Sequence, residues 1–300
     1  MSEFSLPPNA ETYIVTVRDR CMDLIRLNIW NGIRQDDLNR WFGNFENKLE
    51  NYFAACILDV LIFRSNDQVI SLGNELFTKK LPSCLNQNGH DFSNYRDLLD
   101  LLKSQPTNEL RLVSVTLKNE RPVKSSNLIL RDFRRKIGLN ENWFIYPAEV
   151  PVEIKNGVKT FVFIDDFLGT GSQFEGMYRE NGFGLILSEL NSIYCPLVAH
   201  QTGIDYLNNE CQDVKIVTAE TLNKEMNIFS FAFSDGVNNE KNAKEFYDKL
   251  LDKYKFDLLA ANKYGFGNLG LAYTFYHAAP DNCLNVIWDN KNGWYPLIKK

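Results

Sequence analysis

The first hundred residues and the rest of the chain differ in their hydrophobic pattern. In the first part, apolar residues recur at helical spacing, as in Trp41, Phe45, Leu49 and Phe53. This spacing places the apolar side chains on one face of a helix. The pattern therefore predicts helices across the first hundred residues.

Polar and helix-breaking residues indicate where these helices begin and end. Asp36 or Asp37 is expected to cap a helix that carries Trp41 through Phe63. Pro82 and the following Asn86–Gly89 stretch are expected to break the helical pattern, because proline and glycine interrupt helices.

After Pro106, short runs rich in β-branched and aromatic residues alternate with helical stretches. Strands that alternate with helices predict a parallel sheet with helical crossovers. The predicted strands are 110–117, 160–164, 192–199 and 214–218, and the predicted helices are 128–137, 172–178 and 242–254. We therefore predict a helical N-terminal subdomain at 1–105 and an α/β domain at 106–300, packed together because no linker separates them.

Composition and charge are those of an ordinary folded chain. Its 300 residues are 44% hydrophobic and 24% charged, close to the averages for globular proteins. The net charge of −5 argues against a nucleic-acid surface over the whole protein, since phosphate contacts need clustered Lys and Arg. The start lacks a secretory signal, and no stretch approaches the roughly 20 apolar residues of a membrane span. We expect a cytoplasmic protein.

The cysteine and histidine residues are scattered along the chain. They are Cys21, Cys56, Cys84, Cys195, Cys211 and Cys283, with His90, His200 and His277. Without a Cys-x-x-Cys pair or a zinc-type spacing, free buried thiols are predicted in preference to disulfides or a structural metal.

One segment combines a buried strand, two acidic residues and a loop of small residues. The apolar run Phe161–Ile164 is followed by Asp165, Asp166 and then Gly169–Ser172. Ligands of open α/β sheets bind beyond the carboxyl ends of strands. Glycines let successive N–H groups converge, and a helix N-terminus favours an anion. The segment predicts a phosphate-binding loop, and the alternative is a tight strand-to-helix turn in which the Asp residues only cap the helix.

The acidic pair narrows the type of ligand. Carboxylates beside a phosphate site repel an anion unless they face hydroxyl groups or a cation, and a ribose 5-phosphate with magnesium supplies both. Nucleoside triphosphate loops instead end in Gly-Lys followed by Ser or Thr. This loop lacks the Lys, because Ser172 directly follows Gly171 and Gln173 comes next.

This segment resembles the signature of the type I phosphoribosyltransferases, which bind phosphoribosyl diphosphate (PRPP). The chain is more closely similar to the phosphoribosyltransferase-like family of bacterial conflict systems, PRTase-CE. Further residues carry this resemblance: Trp41 with Phe45, Ser125-Ser126 before a helix with Arg131, His200–Asp205, Gly265–Asn268, Pro280–Asn282, Trp288 and Trp294.

The resemblance implies a fold and a set of site residues. It implies a type I phosphoribosyltransferase-like parallel sheet in which Asp165 and Asp166 hold the ribose hydroxyls and, with the ligand, Mg²⁺. The residues implied to bind the 5-phosphate are Gly169, Thr170, Gly171 and Ser172. The candidates for the pyrophosphate are Lys124, Ser125, Ser126 and Arg131. A solvated basic face is the alternative for Lys124 and Arg131.

His200 and Asp205 follow a predicted strand, so they are expected near the same sheet edge. Position in a loop makes His200 a candidate acid or base. The alternative is a structural histidine held by hydrogen bonds.

The implied activity is displacement of pyrophosphate from PRPP, which needs positioning and magnesium rather than a nucleophile. One alternative is a sensor that binds PRPP or a nucleotide and regulates a partner. Another is an effector that splits the N-glycosidic bond of a nucleotide. Membership of a conflict-system family implies a role in antiphage defence. Four aromatic residues of the N-terminal helices are candidates for a partner surface or for internal packing: Trp41, Phe42, Phe45 and Phe53.

Overall fold

The computed structural model describes residues 3–117, 125–233 and 236–299, with only the backbone of residues 125–127. Its α-helices are α1 (Ala10–Arg26), α2 (Gln35–Phe42), α3 (Lys48–Val60), α4 (Asn66–Glu75), α5 (Leu81–Asn86), α6 (Asp97–Lys103), α7 (Ser125–Asp132), α8 (Val150–Lys155), α9 (Ser172–Glu180), α10 (Phe183–Ile186), α11 (Gln201–Glu210), α12 (Ile228–Phe231), α13 (Glu240–Lys253) and α14 (Asn285–Trp288). Its strands are β1 (Ile62–Arg64), β2 (Arg111–Ser114), β3 (Phe144–Ile145), β4 (Thr160–Leu168), β5 (Asn191–His200), β6 (Val214–Ile216), β7 (Glu220–Leu222) and β8 (Tyr273–Phe275).

Shorter helical turns connect these elements. Two are π-helical, Leu76–Lys80 and Phe133–Ile137. The 3₁₀ turns are Glu141–Trp143, Pro147–Glu149, Lys224–Met226, Ala260–Asn262, Phe266–Asn268 and Lys291–Gly293.

The chain forms two compact units. One consists of Met1–Asn66 with Lys224–Lys300, and the other of Asp67–Asn223. The first contains α1–α3, α12–α14 and the parallel pair β1–β8, around an aromatic core that includes Trp41, Phe53 and Tyr247. The second contains β2–β7. The predicted boundary after residue 105 falls inside the second unit, between α6 and β2.

The second unit is built on a six-stranded parallel sheet in the order β3-β2-β4-β5-β6, with β7 also paired to β5. The strands β6 and β7 share one edge of β5, beside Ser192–Tyr194 and Val198–His200. Pro196, which has no N–H to donate, lies between these two stretches. The predicted α/β fold with a parallel sheet and flanking helices is confirmed.

The order of the strands reverses between β2 and β4. The chain runs from β2 outward to β3, and then returns to place β4 on the other side of β2. Ligands of doubly wound sheets bind beyond the carboxyl ends of the strands at such a reversal. Because β4 carries Asp165 and Asp166 in its final residues, the sheet places the acidic pair at this point.

The strand β4 is almost entirely buried, since helices cover both faces of a parallel sheet. Val162, Phe163 and Ile164 have no exposed surface. Phe163 packs in one cluster with Tyr194 of β5 and Phe174 of α9. This packing fixes β4 relative to the helix that follows it.

The predicted helix from Trp41 through Phe63 is wrong. The structure ends α2 at Phe42 and starts α3 after Asn47, whose side chain accepts a hydrogen bond from the Glu50 N–H at 3.0 Å. Phe63 belongs to β1. Asn47 is a favourable N-cap residue, so a new helix begins after it. The apolar spacing continues across this boundary and therefore does not reveal it.

Two other helix signals also act differently from the prediction. Arg34 occupies the N-cap of α2, and Asp37 accepts from its backbone N–H at 3.0 Å. Pro82 is the second residue of α5 and does not end the helix, which ends at Asn86, where the predicted Asn86–Gly89 break begins. Proline is tolerated in the first turn of a helix, because the N–H groups there have no partner within the helix.

All six cysteines are free and buried, as predicted. Within the described ranges, no helix combines the length and apolar character needed to cross a bilayer.

Candidate functional site

The loop between β4 and α9 combines a left-handed glycine with the N-terminus of a helix. Gly171 has a φ of 93°, in the left-handed region that favours glycine, and precedes the first residue of α9. The hydroxyl oxygens of Thr170 and Ser172 lie 3.0 Å apart, and Ser172 is exposed. The first N–H groups of a helix lack partners within the helix, so this loop presents N–H and hydroxyl donors together.

The helix α11 packs closely against this loop. A Cβ atom on Gly171 would lie 2.7 Å from Cδ1 of Tyr206, and a Cβ atom on Gly203 would lie 2.4 Å from the carbonyl oxygen of Gly169. Real Cβ atoms do not approach other atoms so closely. The glycines are therefore required for the close contact between α11 and the loop as well as for the turn itself.

The two acidic residues at the end of β4 are buried, with 3% of Asp165 and 8% of Asp166 exposed. Asp165 Oδ1 accepts from the backbone N–H of Asp166 at 3.0 Å, and Asp165 Oδ2 accepts from the Tyr194 hydroxyl at 3.0 Å. Burial raises the pKa of Asp165 well above its ordinary value. The charge of Asp166 and a hydrogen bond to the Asp166 side chain raise this pKa further. The bonds from Tyr194 and from the Asp166 backbone oppose this shift in pKa.

Tyr194 is a site residue that the sequence did not predict. It is 1% exposed, and its ring stacks on Phe174 with 4.0 Å between the ring centroids. Burial and the charge of Asp165 raise the pKa of its hydroxyl, so it remains a hydrogen-bond donor. A tyrosine inside a buried strand needs a hydrogen-bond partner for its hydroxyl. This requirement is the signal in the sequence that could have drawn attention to Tyr194.

One family model covers most of the chain, including β4, the loop and α9. The model is that of PRTase-CE, and it matches residues 38–300. The chain belongs to the PRTase-CE family. The match begins within α2, so it also includes the later helices of the N-terminal part. A search of curated proteins finds no match.

The residues suggested for the pyrophosphate lie directly before α7 in the sequence and within α7. Lys124 lies outside the described residues, and Ser125 and Ser126 begin α7, where only the backbone is described. Arg131 is exposed in the last turn of α7. The helix α7 packs against β2 and β4, the two strands at the reversal of the sheet.

His200 and Asp205 both make local hydrogen bonds in α11. His200 is 2% exposed and is the N-cap residue of α11, where its Nδ1 accepts from the Thr202 N–H at 3.2 Å. Asp205 accepts from Gln201 Nε2 at 2.7 Å. His200 therefore makes a structural contact that stabilises α11, which agrees with the alternative of a structural histidine held by hydrogen bonds.

The donor atoms at the end of β4 fit the chemistry of magnesium. Mg²⁺ is usually bound by one or two carboxylates, substrate phosphates and several waters. In the part of the chain that the structure describes, no three His, Cys, Asp or Glu side chains gather as metal ligands. Asp165 and Asp166 match the one or two carboxylates of such a set.

The four aromatic residues suggested as a partner surface are buried. Trp41, Phe42, Phe45 and Phe53 are at most 5% exposed and lie in the core of the first unit. Internal packing accounts for them.

Proposed function

We propose that this PRTase-CE protein binds PRPP, or a nucleotide with a ribose 5-phosphate, at the carboxyl end of β4. The observation that carries the proposal is the direct succession of a buried acidic pair, a left-handed Gly171 and the N-terminus of α9. The strand order reverses at this point, where doubly wound sheets bind ligands.

In this proposal the 5-phosphate binds the loop Gly169–Ser172. The N–H groups at the start of α9 and the hydroxyls of Thr170 and Ser172 donate to its oxygens. The ribose hydroxyls donate to the acidic end of β4. Lys124, Ser125, Ser126 and Arg131 are the candidates for the diphosphate, and Asp165 and Asp166 would hold Mg²⁺ together with the ligand.

The reaction proposed is transfer of the phosphoribosyl group. The acceptor forms a bond to C1 of the ribose, and the bond from C1 to the diphosphate oxygen breaks, so that the electron pair leaves with pyrophosphate. Negative charge at the end of β4 stabilises the positive charge that develops on the sugar. Mg²⁺, which Asp165 and Asp166 would hold together with the ligand, would supply positive charge that offsets the charge of the pyrophosphate. A role in antiphage defence stays a prediction from the family.

Calorimetric titration with a series of ligands tests this proposal. PRPP with Mg²⁺ is expected to bind more tightly than ribose 5-phosphate or pyrophosphate alone, because it occupies both halves of the site. Equal or absent binding of all three by the folded protein would contradict it.

The activity is tested by following pyrophosphate release and nucleotide concentration. Release of pyrophosphate from PRPP in the presence of candidate acceptors is the expected result. Binding without release would favour the sensor, and nucleotide consumption without PRPP would favour the nucleotide-splitting effector.

A further inference from the structure

A cavity of about 290 Å³ lies within the first unit, and none of its lining residues belongs to the unit that contains β4. The lining comes from the start of α2 and the residues before it, from β1, from Tyr276 directly after β8, and from the C-terminal segment. Ligand pockets usually have volumes of roughly 300–1,000 Å³. The cavity therefore has a size that suits a small molecule.

One part of the lining is apolar and firmly held. Ile33, Phe63, Leu297 and Ile298 contribute to it, and each is at most 6% exposed. The N–H groups of Leu297 and Ile298 both donate to the carbonyl oxygen of Ile287, at 2.9 Å and 3.2 Å. An apolar group that enters the cavity is removed from water against these side chains, which favours its binding.

The other part of the lining is charged and consists of Arg34, Asp37 and Lys299. Both oxygens of the buried Asp37 already accept hydrogen bonds. Nε and Nη2 of Arg34 donate to them at 3.0 Å each, and the Tyr295 hydroxyl donates to Oδ1 at 2.6 Å. A cationic ligand would have to displace these donors from Asp37. Lys299 is exposed and gives the lining one positive charge in excess, so the cavity favours an anion.

We propose that this cavity binds a small carboxylic acid with an apolar body, such as an aryl or branched aliphatic acid. The apolar body packs against Phe63, Leu297 and Ile298. The carboxylate accepts from the ammonium group of Lys299, beside the Arg34 guanidinium, and its single negative charge matches the excess positive charge of the lining. Because the cavity belongs to the first unit, this inference does not depend on the proposed function of the site at β4.

Phenylacetate is the probe for this inference, and NMR titration compares it with three related molecules. Phenylacetamide has nearly the same shape without the charge, phenethylamine carries a positive charge, and acetate lacks the ring. We expect phenylacetate to bind most tightly and phenylacetamide about threefold more weakly, because the amide cannot form the ion pair with Lys299. Acetate is expected to bind more weakly still, since it buries no ring. Equal binding of the four molecules, or no binding of phenylacetate, would overturn the inference.

Lys299→Gln locates the binding, with Lys291→Gln as a matched control. Lys291 is an exposed lysine of the same unit and lies outside the lining of the cavity. Lys299→Gln is expected to weaken phenylacetate binding about threefold and to leave phenylacetamide binding unchanged. Lys291→Gln is expected to change neither, and circular dichroism confirms that both variants are folded. Equal affinities of the two variants for phenylacetate would overturn the assignment to this cavity.

The Thr170→Val/Ser172→Ala double variant separates this inference from the proposed function. It alters the loop after β4 and leaves the first unit unchanged. The double variant is therefore expected to bind phenylacetate as tightly as wild type does, whether or not wild type binds PRPP. Loss of phenylacetate binding in the folded double variant would assign the acid to the loop and overturn the inference.

Discussion

Gly203 of α11 lies directly against the carbonyl oxygen of Gly169, and a Cβ atom at position 203 would stand only 2.4 Å from that oxygen. It would also approach Leu168 to 2.8 Å. Because the nearest atom belongs to the backbone, Gly203→Ala must displace the loop or the helix. We expect this variant to lose both stability and affinity for a phosphate ligand, although alanine favours a helix by about 1 kcal/mol over glycine.

Gly176→Ala is the matched control for Gly203→Ala. Gly176 lies within α9, and its Cβ atom would meet Leu117 at an ordinary 3.5 Å. Chemical denaturation is expected to show a stabilised Gly176→Ala and a destabilised Gly203→Ala. A stabilised Gly203→Ala with unchanged ligand binding would contradict the close contact between α11 and the loop.

Gly171→Ala is expected to abolish phosphate binding. The residue has a φ of 93°, and a Cβ atom would lie 2.7 Å from the Tyr206 ring. Gly182→Ala introduces a side chain at a φ of 66° with no atom within 4 Å. Left-handed strain of about 1 kcal/mol is expected in both variants, but only Gly171→Ala should lose PRPP binding in a calorimetric titration. Equal binding by the two variants would argue against the loop as the phosphate site.

His200 is predicted to contribute mainly as the N-cap of α11. His200→Ala is expected to lower the free energy of unfolding by about 1 kcal/mol, because the Thr202 N–H loses its acceptor. His200→Asn restores a capping oxygen and is expected to be more stable than His200→Ala in urea unfolding. If the two variants were equally unstable, the cap would not be the main role of this residue.

The raised pKa of Asp165 predicts how stability depends on pH. Above the ordinary pKa of about 4, the unfolded chain releases a proton that the folded protein retains, so stability falls as pH rises. The fall is at most about 1.4 kcal/mol per pH unit for one group. Asp165→Asn removes this titration, so its stability relative to wild type is expected to increase from pH 4 toward pH 8. Urea unfolding without ligand or magnesium measures this difference.

Asp37→Asn is the control, because its stability relative to wild type is expected to change with pH in the opposite direction. The Arg34 guanidinium holds the pKa of Asp37 far below its usual range, so the contribution of this carboxylate to stability is lost as pH falls. Wild type is therefore expected to exceed Asp37→Asn in stability at neutral pH, and less so near pH 3. A pH-independent difference between wild type and Asp165→Asn would contradict the buried acid pair.

The sequence predicted β2, β4, β5 and β6 because these strands carry local signals, whereas the short strands β3 and β7 were not predicted. The runs around Val113, Phe163 and Val198 are apolar and bounded by turns, and each is a strand of the parallel sheet. The motif from Asp165 to Ser172 was found for the same reason, since its residues are consecutive.

The contacts made across the sheet could not be predicted in this way. Tyr194 reaches Asp165 only because β5 pairs beside β4 in a register that places Phe163 opposite Tyr194. Gly203 meets Gly169 through the packing of α11, and nothing in the local sequence around Gly203 indicates this approach. Register and helix packing follow from the tertiary structure, which spacing along one chain does not specify.

Calorimetric titration of PRPP and Mg²⁺ into wild type and a Thr170→Val/Ser172→Ala double variant is the decisive test of a phosphoribosyl site at the end of β4. Ser188→Ala, which removes a hydroxyl from an exposed position elsewhere in the same unit, is the control. Binding is expected for wild type and for Ser188→Ala, with a loss of at least about tenfold in the double variant, whose two hydroxyls no longer donate to the phosphate. Equal affinity of the three folded proteins, or no binding by wild type, would contradict a phosphoribosyl site at the end of β4.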